Sequence, residues 1–176
     1  RFIVWKAETR RNGDVAKVPY RVATHSRAAV TNPDHWNRFE TACRKADDPF
    51  YTGVGFVFTK DDPYVGIDLD DCLVDGELAE WAHPWLARLI GSYAEVSPSG
   101  TGIKIWCRGK LSGNGGRRSI EGGGRAGIEI YDRGRYFCVT GDVFDLSPYP
   151  DDGSLPDHQP AVDELYAWIK AASKPP

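Results

Sequence analysis

Val65-Gly66-Ile67-Asp68-Leu69-Asp70-Asp71 sets carboxylates two residues apart inside a short apolar run. Side chains of an extended strand alternate faces, so Asp68 and Asp70 share one face while Ile67 and Leu69 enter a core on the other. Two carboxylates held side by side repel each other unless something positive lies between them. A hard divalent cation such as Mg²⁺ or Mn²⁺, which prefers oxygen ligands, fills that role. The same residues also suit a plain acidic strand end, with Asp70, Asp71 and Asp75 solvated. An Asp-x-Asp pair is shared by glycosyltransferases, nucleases and surface loops, so the residues downstream must decide.

Two further groups follow. Ser97-Pro98-Ser99-Gly100-Thr101-Gly102-Ile103-Lys104 brings two serine hydroxyls, two glycines and a lysine into one turn. Glycine lets backbone N–H groups approach an anion, hydroxyls donate to phosphate oxygens, and Lys104 adds a point charge. The glycine spacing is not that of a P-loop, and a glycine hairpin with Lys104 in solvent is the plainer alternative. In Ile128-Glu129-Ile130-Tyr131-Asp132-Arg133-Gly134-Arg135, the two isoleucines point to the core and Glu129 to the opposite face. Asp132 falls at the strand end, where a turn carboxylate is common for capping alone. Arg135 opens a returning strand, and alternation with Tyr136 turns it to the face of Glu129.

These groups need rigid elements. Arg1–Trp5 and Val15–Val22 read as strands joined at Asn12-Gly13, a hairpin signal. Thr31-Asn32-Pro33-Asp34 starts a helix that carries Trp36, Phe39 and Cys43. Val54–Phe58, Tyr64–Leu69, Tyr93–Val96 and Ile103–Cys107 are strands. Glu77–Ile90 reads as a helix with Leu78, Trp81, Trp85 and Leu89 on one side and a kink at Pro84. Residues 109–127 hold eight glycines and four basic residues, a mobile cationic loop. Gly127–Tyr131 and Arg135–Thr140 form a hairpin about Arg133-Gly134, and Ala161–Ala172 is a final helix. Strands outnumber helices and are mostly hairpin-connected, which predicts an α+β class with an antiparallel or mixed sheet.

The net charge of -3 is unevenly spread. Residues 1–45 carry ten Lys and Arg against four Asp and Glu, and residues 101–135 eight against three. Between them, residues 46–100 carry two against eleven. An acidic block flanked by basic ones suits a metal site facing polyanions, although charge blocks are often only solvated faces. Cys43, Cys72, Cys107 and Cys138 form no C-x-x-C pair, and the four histidines add no zinc-type spacing. Buried thiols in a reducing cytoplasm are expected, and no zinc. No apolar run approaches the roughly 20 residues of a membrane span.

The three groups in this order resemble the archaeo-eukaryotic primase superfamily, in particular the primase-polymerase domains of phage and plasmid replication proteins. The resemblance extends to Lys17-Val18-Pro19-Tyr20, Thr31-Asn32-Pro33, Gly53–Phe58, Ser92–Ser97 and Arg135–Gly141. It implies a catalytic core with an RRM-like sheet flanked by helices, in one catalytic domain over residues 1–176. Within it, an N-terminal αβ lobe takes about 1–60, a metal-binding lobe about 61–146 and a C-terminal helix about 161–172. Also implied is template-directed nucleotidyl transfer from dNTPs or NTPs on single-stranded DNA, with two divalent cations, Mg or Mn. By position, Asp68, Asp70 and Glu129 are the catalytic metal ligands, with Asp132 as second choice for the third. Ser97, Ser99, Gly100, Gly102, Lys104 and Arg135 hold the nucleotide. The family pattern often has His where this chain has Lys104, which keeps a phosphate contact but removes a neutral-range proton shuttle. The resemblance further implies a longer replication protein with a fused or associated helicase. The alternative of another class is a non-catalytic single-strand-binding module of the same fold.

Overall fold

A computed structural model describes residues 1–171. In chain order its elements are β1 (Phe2–Thr9), β2 (Val15–Tyr20), α1 (Phe39–Ala46), β3 (Gly53–Val57), β4 (Tyr64–Asp70), β5 (Leu73–Val74) and β6 (Glu77–Leu78). They continue with α2 (His83–Ala87), β7 (Tyr93–Val96), β8 (Ile103–Arg108), β9 (Gly116–Ser119), β10 (Gly127–Tyr131), β11 (Tyr136–Val139) and α3 (Gln159–Ala171). The class is α+β, and the paired strands run antiparallel.

The chain divides into two compact units. Arg1–Thr59 and Gly134–Thr140 form the first, around a sheet of order β11-β3-β1-β2. Its opening hairpin turns where expected: Arg10 N–H donates to the Asp14 carbonyl at 2.7 Å, and Gly13 takes a φ of +86°. Asn32 caps only a short 3-10 turn at Pro33–His35, and the α-helix begins later, at Phe39. Val4, Tyr20, Val22, Ala42, Tyr51 and Val54 are its core.

The second unit is built on the sheet β7-β8-β4-β10-β9, with β5 and β6 as a separate ribbon. Val65, Ile67, Leu69, Ile103, Ile105, Ile128 and Ile130 are fully buried in one cluster with Leu86 of α2, Leu89 just after it, and Val162, Leu165 and Ile169 of α3. Each such side chain removed from water stabilises the fold by roughly 1.5–3 kcal/mol. β4 thus sits at the sheet's centre with its odd-numbered residues in the core, as its alternation predicts.

Three further expectations fail for identifiable reasons. The helix expected over Glu77–Ile90 is instead β6, a 3-10 turn at Glu80–Ala82 and the short α2. Pro84 lies in the first turn of α2, where its missing N–H costs nothing, so it starts a helix rather than kinking one. The loop expected over 109–127 contains β9, paired with β10. Most telling, β10 and β11 do not form a hairpin. β4 and β9 occupy both edges of β10, and β11 pairs with β3 in the other sheet. Residue 172 of the expected last helix lies outside the described residues.

Candidate active site

Strand register sets five ionisable side chains in one row across the second sheet. Glu95 faces Lys104, Lys104 faces Asp68, Asp68 faces Glu129, and Glu129 faces Arg117. Directly opposed residues of antiparallel strands project to the same side, so the row reads minus, plus, minus, minus, plus on the face opposite the apolar core. Asp70 lies two residues beyond Asp68 on that face, opposite Gly127. A parallel row of Tyr93, Trp106, Gly66 and Tyr131 runs beside it, with Tyr93 and Trp106 in tilted ring contact at 5.7 Å.

The row is closed at one end and open at the other. Glu95 is fully buried and accepts a 2.6 Å hydrogen bond from the Tyr93 hydroxyl. The Lys104 ammonium donates to Asp68 Oδ2, with the side chains only 6% and 11% exposed. At the far end the Arg117 guanidinium Nε lies 3.4 Å from Glu129 Oε1 and 3.7 Å from Asp70 Oδ2, and these side chains are 28–40% exposed. Burial first, then the charges of Asp68 and Glu129, push the Asp70 carboxyl up to about 6.

The Ser97–Gly102 turn closes against the end of β4. Ser97 N–H donates to the Gly102 carbonyl, Gly100 N–H to the Ser97 carbonyl, and Gly102 N–H to Ser97 Oγ. A Cβ on Gly102 would come within 2.8 Å of the Leu69 carbonyl, and Gly100 has a φ of +78°. Packing therefore requires Gly102 and the left-handed backbone requires Gly100, and both N–H groups are used inside the turn. Ser97 and Ser99 hydroxyls lie 2.9 Å apart, and Thr101 Oγ1 donates to Asp71 at 2.8 Å.

The structure brings Asp68, Asp70, Glu129, Lys104 and the serine turn into one unit and one end of one sheet. Asp132 stands apart from them. It is fully buried, takes two hydrogen bonds from Arg133 at 2.7 and 2.9 Å, and takes a third from Leu111 N–H at 3.1 Å. Burial raises its carboxyl, but those donors outweigh it and hold the group below the usual range. Arg135 precedes β11 in the other unit, so the alternation that set it beside Glu129 does not apply. Sequence reasoning missed Glu95, a charge in the middle of the Tyr93–Val96 strand, and Arg117, hidden in a glycine-rich stretch.

The donor set matches a hard cation in chemistry. All ligand candidates are carboxylates, and Asp68 Oδ1 is buried with no hydrogen-bond partner, an expensive arrangement for an anionic oxygen. Among the described residues no three His, Cys, Asp or Glu side chains are drawn together tightly enough to enclose an ion. Lys104 takes Asp68 Oδ2, and Arg117 lies beside one oxygen each of Glu129 and Asp70.

Fold and site thus define an α+β domain whose strand-borne carboxylates are ringed by cationic and hydroxyl side chains. No protein-family model matches the chain. Over 146 residues, 82% of its length, the chain is 36% identical to the DNA primase-polymerase of Nitratiruptor phage NrS-1. The matched part is 19% of that protein, so the chain spans about a fifth of its phage relative. The chain is a primase-polymerase-type domain of the archaeo-eukaryotic primase superfamily. Among the described residues no helix is long and apolar enough to cross a membrane.

Proposed function

We propose that this chain catalyses metal-dependent, template-directed nucleotidyl transfer from dNTPs or NTPs on single-stranded DNA. The observation that carries the reading is the register of β4 against β10, which sets Asp68 opposite Glu129 with Asp70 on the same face. Asp68, Asp70 and Glu129 would hold two divalent cations, Mg or Mn, supplying positive charge to the primer 3′-hydroxyl and the departing pyrophosphate. The buried, unpartnered Asp68 Oδ1 supports that assignment.

The chain's own residues position the substrates. The hydroxyls of Ser97 and Ser99 and the Lys104 ammonium take the triphosphate. Lys104 meanwhile fixes the Asp68 carboxylate in its buried place. Basic residues of 1–45 and of the 109–127 segment track template phosphates. The matched part is 19% of the phage relative, and a longer replication protein with a fused or associated helicase is the setting that the family resemblance implies.

A second reading, a non-catalytic single-strand-binding module, is favoured by one observation: protein cations neutralise both ends of the carboxylate row. Incubation with Mn²⁺, labelled nucleotides and primed or unprimed single-stranded DNA separates the two. Incorporation by the wild type that Asp68→Ala and Asp70→Ala each abolish is expected. Single-strand binding without incorporation in any metal would establish the second reading, and near-normal incorporation by both variants would remove the metal assignment.

A further inference from the structure

Arg117 has a more elaborate setting than a solvated surface cation. Its Nε faces Glu129 and Asp70 at 3.4 and 3.7 Å, while its other guanidinium nitrogens are held from behind. Nη1 donates to Ser119 Oγ at 2.9 Å and Nη2 to the Arg125 carbonyl at 2.8 Å. The guanidinium lies in space that a side chain at position 127 would fill. A Cβ on Gly127 would fall 2.7 Å from Nη2 and 2.9 Å from Cζ of Arg117. Gly127 is also the residue directly opposite Asp70. Two anchors, two carboxylates and a glycine cradle therefore fix one cation over the open end of the acidic row. β9, which carries it, is the last strand of its sheet.

We propose that Arg117 is the resident counter-ion of the Asp70–Glu129 pair and makes the site selective for a cation–triphosphate complex over a free divalent cation. The inference rests on the metal-binding reading above and names a positioning residue for it. Two carboxylates on adjoining strands repel, and a guanidinium between them keeps them at their spacing without any metal. The same positive charge opposes entry of a bare divalent cation. A divalent cation bound to a nucleoside triphosphate is a net anion, so Arg117 attracts it rather than repelling it. The nucleotide and its metal would then arrive together, and idle occupation of the site by free metal would be suppressed.

The test is calorimetric titration of the wild type, Arg117→Gln and Arg117→Lys. MnCl₂ alone is one titrant, and Mn²⁺ with a non-hydrolysable dNTP analogue is the other. Opposite changes are expected in Arg117→Gln: free Mn²⁺ binds about tenfold tighter, and the Mn²⁺–nucleotide complex several-fold weaker. Arg117→Lys should restore both values toward wild type, which a purely structural role for the planar guanidinium would not allow. A change in the same direction for both ligands, or none, overturns the proposal while leaving the metal site standing. Absence of Mn²⁺ binding in every variant overturns the metal reading and this inference together. A metal-free control uses melting in EDTA. Arg117→Gln should lower Tm, and adding Glu129→Gln should recover part of the loss. Strictly additive losses would remove the counter-ion role whatever the metal does.

Discussion

The two ends of the charged row use the same chemistry under different solvation. At the Glu95–Lys104–Asp68 end, ionisable side chains are almost out of water and bonded to one another or to Tyr93. At the Asp70–Glu129–Arg117 end, the contacts are longer and the side chains a quarter to two-fifths exposed. A buried ion pair is expensive to break and holds a fixed geometry, whereas a half-exposed pair at 3.4–3.7 Å yields at little cost. One end therefore mainly frames the site, and the other is where ligands displace protein contacts most easily.

The largest expected effect breaks the frame. Lys104→Met removes the cation between two buried carboxylates and should cost about 3–5 kcal/mol, read as a lower denaturation midpoint with an unchanged m-value. Arg117→Gln, at the open end, should cost well under half as much. Equal losses would erase the distinction between the ends.

A second effect separates two acids three residues apart. Asp132→Asn leaves Arg133 and Leu111 N–H poorly matched in a buried site and should destabilise by about 1–3 kcal/mol. The folded variant should still incorporate nucleotides. Glu129→Gln should do the reverse, with near-normal melting and no incorporation. If only the Asp132 variant is inactive, Asp132 is the third ligand and the β4–β10 register is not the one that matters for function.

The smallest effect is a pH dependence. The Asp70 carboxyl sits near 6 in the folded protein against 3.8 for an ordinary aspartate. Below about 4 both states hold the proton and Asp70 contributes nothing. Between about 4 and 6 the unfolded chain releases its proton first, so rising pH costs stability, and above about 6 the penalty is complete. Asp70→Asn should therefore gain stability over the wild type at pH 7 and lose that advantage by pH 4, measured by melting in EDTA. A pH-independent difference would mean that burial and the neighbouring carboxylates do not raise the Asp70 carboxyl as described.

The acidic strand and its partner were legible because period-two alternation needs no knowledge of neighbours. Ile67, Leu69, Ile128 and Ile130 mark the core face, and Asp68, Asp70 and Glu129 fall opposite. Sheet membership was not legible. Arg133-Gly134 looks like a hairpin turn, yet β10 has both edges filled, and nothing local to the turn reveals that. Glu95 and Arg117 were missed for the same reason. A charge in a short strand gains meaning only from the residue facing it, and that depends on register between strands distant in sequence. The helix misread at Glu77–Ile90 has a local cause: its apolar spacing satisfies a core contact without regular helix, and Pro84 marks the start of α2.

The most direct test of the whole account is anomalous scattering from crystals grown with Mn²⁺ and a non-hydrolysable dNTP analogue. Mn²⁺ peaks are expected within coordination distance of Asp68, Asp70 and Glu129, with the triphosphate on the Ser97–Lys104 side. Peaks at Asp132, or none on the charged face of β4 while nucleotide is bound elsewhere, would contradict it.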